Sequence, residues 1–168
     1  MKRSLLFILL CSLFTFAFSK ENTVVVFPNE VHQTIHSFGA SDCWRTQYIG
    51  KNWPLEKRNA IADYLFSSDF DDKGNRGIGL TLWRFNIGSG SHEAGERGGV
   101  ASEWRRTECF LDSLGNWDWS KQEGQRWFLQ AARERKVPYT LGFSISAPVF
   151  MSKNGMARAS EPTPYANL

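Results

Sequence analysis

Three apolar stretches, each breaking off into polar or aromatic residues at its C-terminal end, alternate along this chain with two helical segments. The first ends Phe38-Gly39-Ala40-Ser41-Asp42-Cys43-Trp44, and the second ends Trp83-Arg84-Phe85-Asn86-Ile87-Gly88. The third, residues 138–143, runs into Ser144-Ile145-Ser146. An order of strand, helix, strand, helix, strand selects a parallel α/β sheet, because parallel neighbours need a crossover long enough to hold a helix. Strands that end in Asp, Trp, Arg and Asn are poorly made for packing alone, since buried polar groups need partners. They suit the rim of a parallel barrel, where strand ends gather ligand-binding side chains. A polar ligand such as a carbohydrate is the first expectation.

Residues 55–66 predict a helix. Ile61 with Leu65 and Ala62 with Phe66 stand four apart, and Pro54 suits a first turn. Ser120 and Glu123 read as a capping box that opens a second helix to about residue 135, with Gly124, Trp127, Phe128 and Ala131 on its buried face. The run Thr-Val-Val-Val-Phe at residues 23–27 predicts a β-strand, and residues 31–38 a further extended segment. The second motif strand is expected over residues 78–87, after a polar turn at 69–75. Residues 91–119 show little period and carry several glycines, the pattern of a functional loop.

The first nineteen residues have the layout of a secretory signal: Lys2 and Arg3, then an apolar stretch over residues 5–18, then small residues at Ala17 and Ser19. That stretch is short for a membrane span, so export without a stable anchor is expected, to the outside, the periplasm or the cell surface. The chain holds 20 Lys and Arg against 17 Asp and Glu, and with Lys2 and Arg3 in the leader the excess of three falls to one. No basic patch argues for nucleic acid. Of the seven Trp, four (Trp44, Trp104, Trp117 and Trp119) lie outside the predicted helices and strands. Loop indoles serve either as faces for sugar rings or as plugs between loops.

Several other patterns fail. Asp69, Asp71 and Gly74 mimic a calcium loop, but position twelve is Leu80 where a Glu is required. Gly88 and Gly90 follow a strand, yet Glu93 stands where a dinucleotide fingerprint needs glycine. His32 and His36 lie on an extended segment, which does not hold them on one helical face. No metal and no cofactor are expected. Cys43 and Cys109 could pair after export, but spacing alone does not set their distance.

Taken in order, residues 38–44, residues 82–90, Glu103-Trp104-Arg105-Arg106, Trp117-Asp118-Trp119 with the Gln125-Arg126-Trp127-Phe128 helix, and Ala147-Pro148-Val149-Phe150-Met151 resemble glycoside hydrolase family 30. The likeness is strongest to its endo-β-1,6-galactanase-like branch and covers nearly all of residues 20–168. The resemblance implies a retaining glycosidase with a (β/α)8 TIM barrel and an attached β-sandwich. Residues 20–35 would add a strand to the sandwich. Residues 36–168 would form the first three β-strands and two helices of the barrel, which is therefore incomplete.

Retaining hydrolysis uses two carboxylates roughly 5 Å apart, one as nucleophile and one as acid/base. The resemblance places both glutamates after later strands, so no catalytic residue is expected within this chain. Glu161-Pro162 imitates the family's Asn-Glu-Pro, but Ser160 replaces the Asn, and only sixteen residues separate Glu161 from Ser144. What the resemblance carries over is a sugar-holding rim. Asp42 and Trp44 match the first-strand motif, Arg84 the arginine that supports the nucleophile, and Asn86 neighbours it. Without the resemblance, Asp42 and Arg84 would read first as a structural ion pair. Ile145 departs from the branch, whose members tend to carry Asn there. The expected substrate is β-1,6-galactan or a related β-glycan, with a chain inactive alone. The alternatives are a non-catalytic carbohydrate-binding protein and a functionless fragment.

Overall fold

The computed structural model describes residues 22–71 and 74–158 and divides the chain into two units, one up to Thr34 and one from Ile35 onward. The predicted leader at 1–19 lies outside the described residues. Within the first unit, residues 23–27 form no β-ladder among the described residues, contrary to expectation. The β-branched run suits a strand, but a strand needs a pairing neighbour, and Val24 stays 83% exposed. The further extended segment expected at 31–38 likewise enters no ladder.

The second unit is an α/β structure built on three parallel strands in the order β1 (Gly39–Ser41), β4 (Leu82–Ile87), β5 (Tyr139–Ser144). Between β1 and β4 come α1 (Arg45–Asn52), α2 (Leu55–Phe66) and a small antiparallel ladder of β2 (Phe70–Asp71) with β3 (Gly74–Asn75). Between β4 and β5 come α3 (Ser91–Ala94), two short 3-10 turns and α4 (Glu123–Glu134). Register sets Ser41, Arg84 and Leu141 abreast on one face of the sheet, and Ala40, Trp83 and Thr140 abreast on the other. Helices cover the second face. Trp83 meets Phe66 of α2 edge-to-face at 5.0 Å, and Phe128, Ala131 and Ala132 of α4 complete the core with Ala62, Leu80 and Val137. On the first face Tyr139, Leu141 and Phe143 remain exposed.

Helix α2 has the predicted bounds, and its C-terminus explains why β4 starts late. The last carbonyls of a helix lack intrahelical donors. Here the N–H groups of Ser67, Ile78 and Leu80 donate to the carbonyls of Asp63, Tyr64 and Leu65. Residues 78–80, expected as strand, are thus committed to closing the helix, and pairing begins only at Leu82.

Helix α4 corrects the expected capping box. Ser120 Oγ bonds to Asp118 instead, and Gln122 stands at the N-cap with φ 52° and no side-chain cap bond. The free N–H groups of Gly124 and Gln125 donate to Gln47 Oε1 of α1, at 3.0 and 3.3 Å. A partner distant in sequence caps the helix, so the local pattern is overridden. Close contact of the two helices makes this reach possible, and it requires glycines. A Cβ on Gly124 would lie 2.0 Å from the Gln47 carbonyl oxygen, and one on Gly50 2.2 Å from that of Gly124. Gly124→Ala should therefore lower stability by about 1–3 kcal/mol through overpacking, despite a helix-propensity gain of about 1 kcal/mol. Denaturant unfolding checks this, and an unchanged or raised midpoint would contradict the close-packing account.

Candidate functional site

The carboxyl ends of β1, β4 and β5 open onto one cleft of about 540 Å3. The segment after β1 supplies Trp44, the end of β4 supplies Asn86 and Ile87 with Ser89 just beyond it, and the segment after β5 supplies Ile145 and Ser146.

 The connection between β4 and α4 closes the far wall with Ser91, Arg105 and Thr107, the Arg105 guanidinium lying 4.8 Å above the Trp44 ring. Such a cleft at the carboxyl ends of parallel strands is the usual place for a ligand in α/β folds.

Asp42 does not point into it. The side chain is 1% exposed, and both carboxylate oxygens accept the Asn86 backbone N–H at 3.1 Å while Oδ2 also accepts from Gln125 Nε2 at 3.0 Å. Burial pushes its pKa up to about 6, against the lowering effect of those hydrogen bonds and of the Arg84 charge. Asp42 and Arg84 form no ion pair. Arg84 instead donates through Nε to Ser41 Oγ at 2.9 Å and through Nη2 to Cys43 Sγ at 3.3 Å, with its guanidinium 4.7 Å above the Phe143 ring.

Asn86 is held from both sides by its backbone: its N–H donates to Asp42 and its carbonyl accepts from Gln122 Nε2 at 2.8 Å. Its side chain is 1% exposed and lines the cleft, yet Oδ1 accepts no hydrogen bond from the described residues. A buried acceptor without a donor costs about 1–3 kcal/mol. A donor arriving in the cleft would relieve that cost.

Sequence reasoning missed the glutamines that support this arrangement. Gln122, fully buried, accepts from the Gly88 N–H at 3.0 Å and donates to Gln125 Oε1 at 2.6 Å. Glu108 Oε2 accepts from the Gln122 N–H at 2.6 Å and from Gln47 Nε2 at 3.0 Å. No local signal marks a Gln as buried, because the residue type is ordinarily exposed. Of the loop tryptophans, Trp44 lines the cleft, whereas Trp117 and Trp119 stack on each other at 5.1 Å away from its lining. Cys43 and Cys109 are free thiols. Among the described residues no cluster of His, Cys, Asp and Glu could hold a metal, and no helix is long and apolar enough to cross a membrane. Glu161 lies outside the described residues.

Residues 21–168 match O-glycosyl hydrolase family 30. The chain belongs to that family. A solved structure described as a conserved exported protein from Bacteroides fragilis is 47% identical, with a TM-score of 0.74 over 82% of this chain and 28% of that one. The catalytic domain of GH30 xylanase C from Talaromyces cellulolyticus is 28% identical, with a TM-score of 0.47 over 73% of this chain and 25% of its own. The chain thus spans little more than a quarter of the Bacteroides protein. No curated protein matches it. Family membership makes the chain part of a glycosidase family and a carbohydrate the ligand class to test.

The Asp42 environment makes a pH prediction. Its folded pKa of about 6 lies above the ordinary 3.8, so the unfolded chain ionises first as pH rises. Stability should then fall by about 3 kcal/mol between pH 4 and 6 from this group alone. Asp112 and Asp118, held low by hydrogen bonds from Asn116 and Ser120, act below that window. The difference in unfolding free energy between the parent and Asp42→Asn, followed across pH 4–7, isolates the effect. A difference that stays flat over that range would contradict the buried-carboxyl account.

Proposed function

We propose that this chain forms the sugar-holding part of a retaining β-glycan hydrolase, with β-1,6-galactan as its substrate. The observation that carries the reading is Asn86 Oδ1, a buried acceptor without a donor among the described residues, in the cleft at the strand ends. Sugars present hydroxyl donors at every ring edge, and an indole covers the apolar face of a pyranose. Asn86 would accept a hydroxyl, and Trp44 would cover the ring. Arg84 would orient the nucleophile carboxylate with its planar fork. Asp42 would act at one remove, by fixing the Asn86 backbone rather than by touching sugar.

The cutting groups are proposed to lie outside residues 1–168, so that Glu161 is not one of them. Among the described residues no Asp or Glu lines the cleft, and retaining chemistry needs two carboxylates facing the bond. The same observation favours, as the second reading, a carbohydrate-binding protein without catalysis. Export is supported by the leader-like residues 1–19 and by the description of the Bacteroides relative as exported. A β-sandwich role for residues 20–35 is supported by their exposed valines, and barrel membership for residues 36–168 by the parallel order of the sheet.

The purified chain should bind β-1,6-galacto-oligosaccharides in calorimetric titration and release no reducing sugar. Asn86→Ala should weaken that binding about tenfold. Turnover that vanishes in Glu161→Gln would overturn the assignment of the cutting groups, and unchanged affinity in Asn86→Ala would overturn the role of Asn86. In an intact enzyme carrying this segment, Arg84→Lys should lower kcat more than it raises KM, because Lys keeps the charge but loses the fork. A kcat within about threefold of the parent, roughly 0.7 kcal/mol, would contradict the role of Arg84.

A further inference from the structure

A second hollow of about 330 Å3 lies between α1 and the β4–α4 connection, and Trp44 lines both it and the strand-end cleft. The two spaces therefore share a wall. Trp104 and Tyr48 form a corner of the hollow, with ring centroids 5.0 Å apart and planes at 79°. Both rings stay about half exposed although each already has an aromatic neighbour, with Trp104 at 49%. Glu108 also lines the hollow. Its Oε2 is occupied by Gln47 and Gln122, and its Oε1 accepts no hydrogen bond from the described residues. Glu103 adds a further exposed acceptor.

Among the described lining residues Glu103 and Glu108 are matched by Lys51 and Arg106, while the Arg45 guanidinium lies over the Trp104 ring, 5.3 Å from its centroid. A lining without net charge gives no preference for an anion or a cation. Perpendicular aromatic rings beside unused acceptors suit a neutral ligand with an apolar face and hydroxyl edges. We propose that this hollow is a second saccharide subsite, which takes the neutral pyranose next to the one held in the strand-end cleft. The proposal rests on reading that cleft as a carbohydrate site. Trp44 separates the two subsites, Trp104 and Tyr48 receive the second ring, and Glu103 with Glu108 Oε1 accept its hydroxyls.

The test is calorimetric titration of the full chain with methyl β-galactopyranoside and with β-1,6-galactobiose and galactotriose. The parent should bind the oligosaccharides about tenfold more tightly than the monosaccharide. Trp104→Ala should abolish that gain and leave monosaccharide affinity within about twofold, and Trp104→Phe should restore most of it. Glu103→Gln, a change at an exposed side chain, should reduce the gain without altering the thermal melt. A chain-length gain that persists in Trp104→Ala and Glu103→Gln overturns the second subsite while leaving the strand-end site intact. Absence of binding to any of the three sugars overturns the strand-end reading and the subsite with it.

Discussion

The Asp42 carboxylate accepting the Asn86 N–H ties the end of β1 to the end of β4, and the rest of the site depends on that bond. Through Gln125 the same carboxylate reaches α4, so one buried group joins two strands and a helix. Burial of a carboxylate is unfavourable in itself, and the upward pKa shows it. The hydrogen bonds from Asn86 and Gln125 offset part of that cost. Their geometry also decides where Asn86 presents its side chain, which gives this strained electrostatics a structural use.

Around this bond the polar groups form a continuous chain. Gln122 holds the carbonyl of Asn86 and the N–H of Gly88, Glu108 holds the N–H of Gln122, and Gln47 joins Glu108 to the first turn of α4. Each link satisfies a backbone group left open where a strand or helix ends. The close approach of α1 and α4 at Gly50 and Gly124 lets a side chain as short as Gln47 span the gap. Packing of the helix layer and orientation of the cleft are thus one problem with one solution.

Much of the architecture was legible in the sequence. The α2 bounds follow from apolar spacing and Pro54, and the three strand ends were recognisable because polar residues interrupt apolar runs. Other features depend on partners that no local window contains. Ser120 and Glu123 have the spacing of a capping box, yet Gln47, more than seventy residues earlier, caps the helix. Asp42 sits in a rim motif, but side chains alternate across a strand, and its place in the register turns it toward α4. Residues 23–27 carry a strand composition without a ladder, since composition prepares a strand and only a neighbour completes it.

In the proposed role, the strand-end cleft receives a sugar whose hydroxyl completes Asn86. A crystal structure of the protein with β-1,6-galactobiose measures this directly. The account predicts a ring against Trp44 and a sugar hydroxyl about 3 Å from Asn86 Oδ1. A disaccharide bound elsewhere, with Asn86 Oδ1 still buried without a donor, would contradict it.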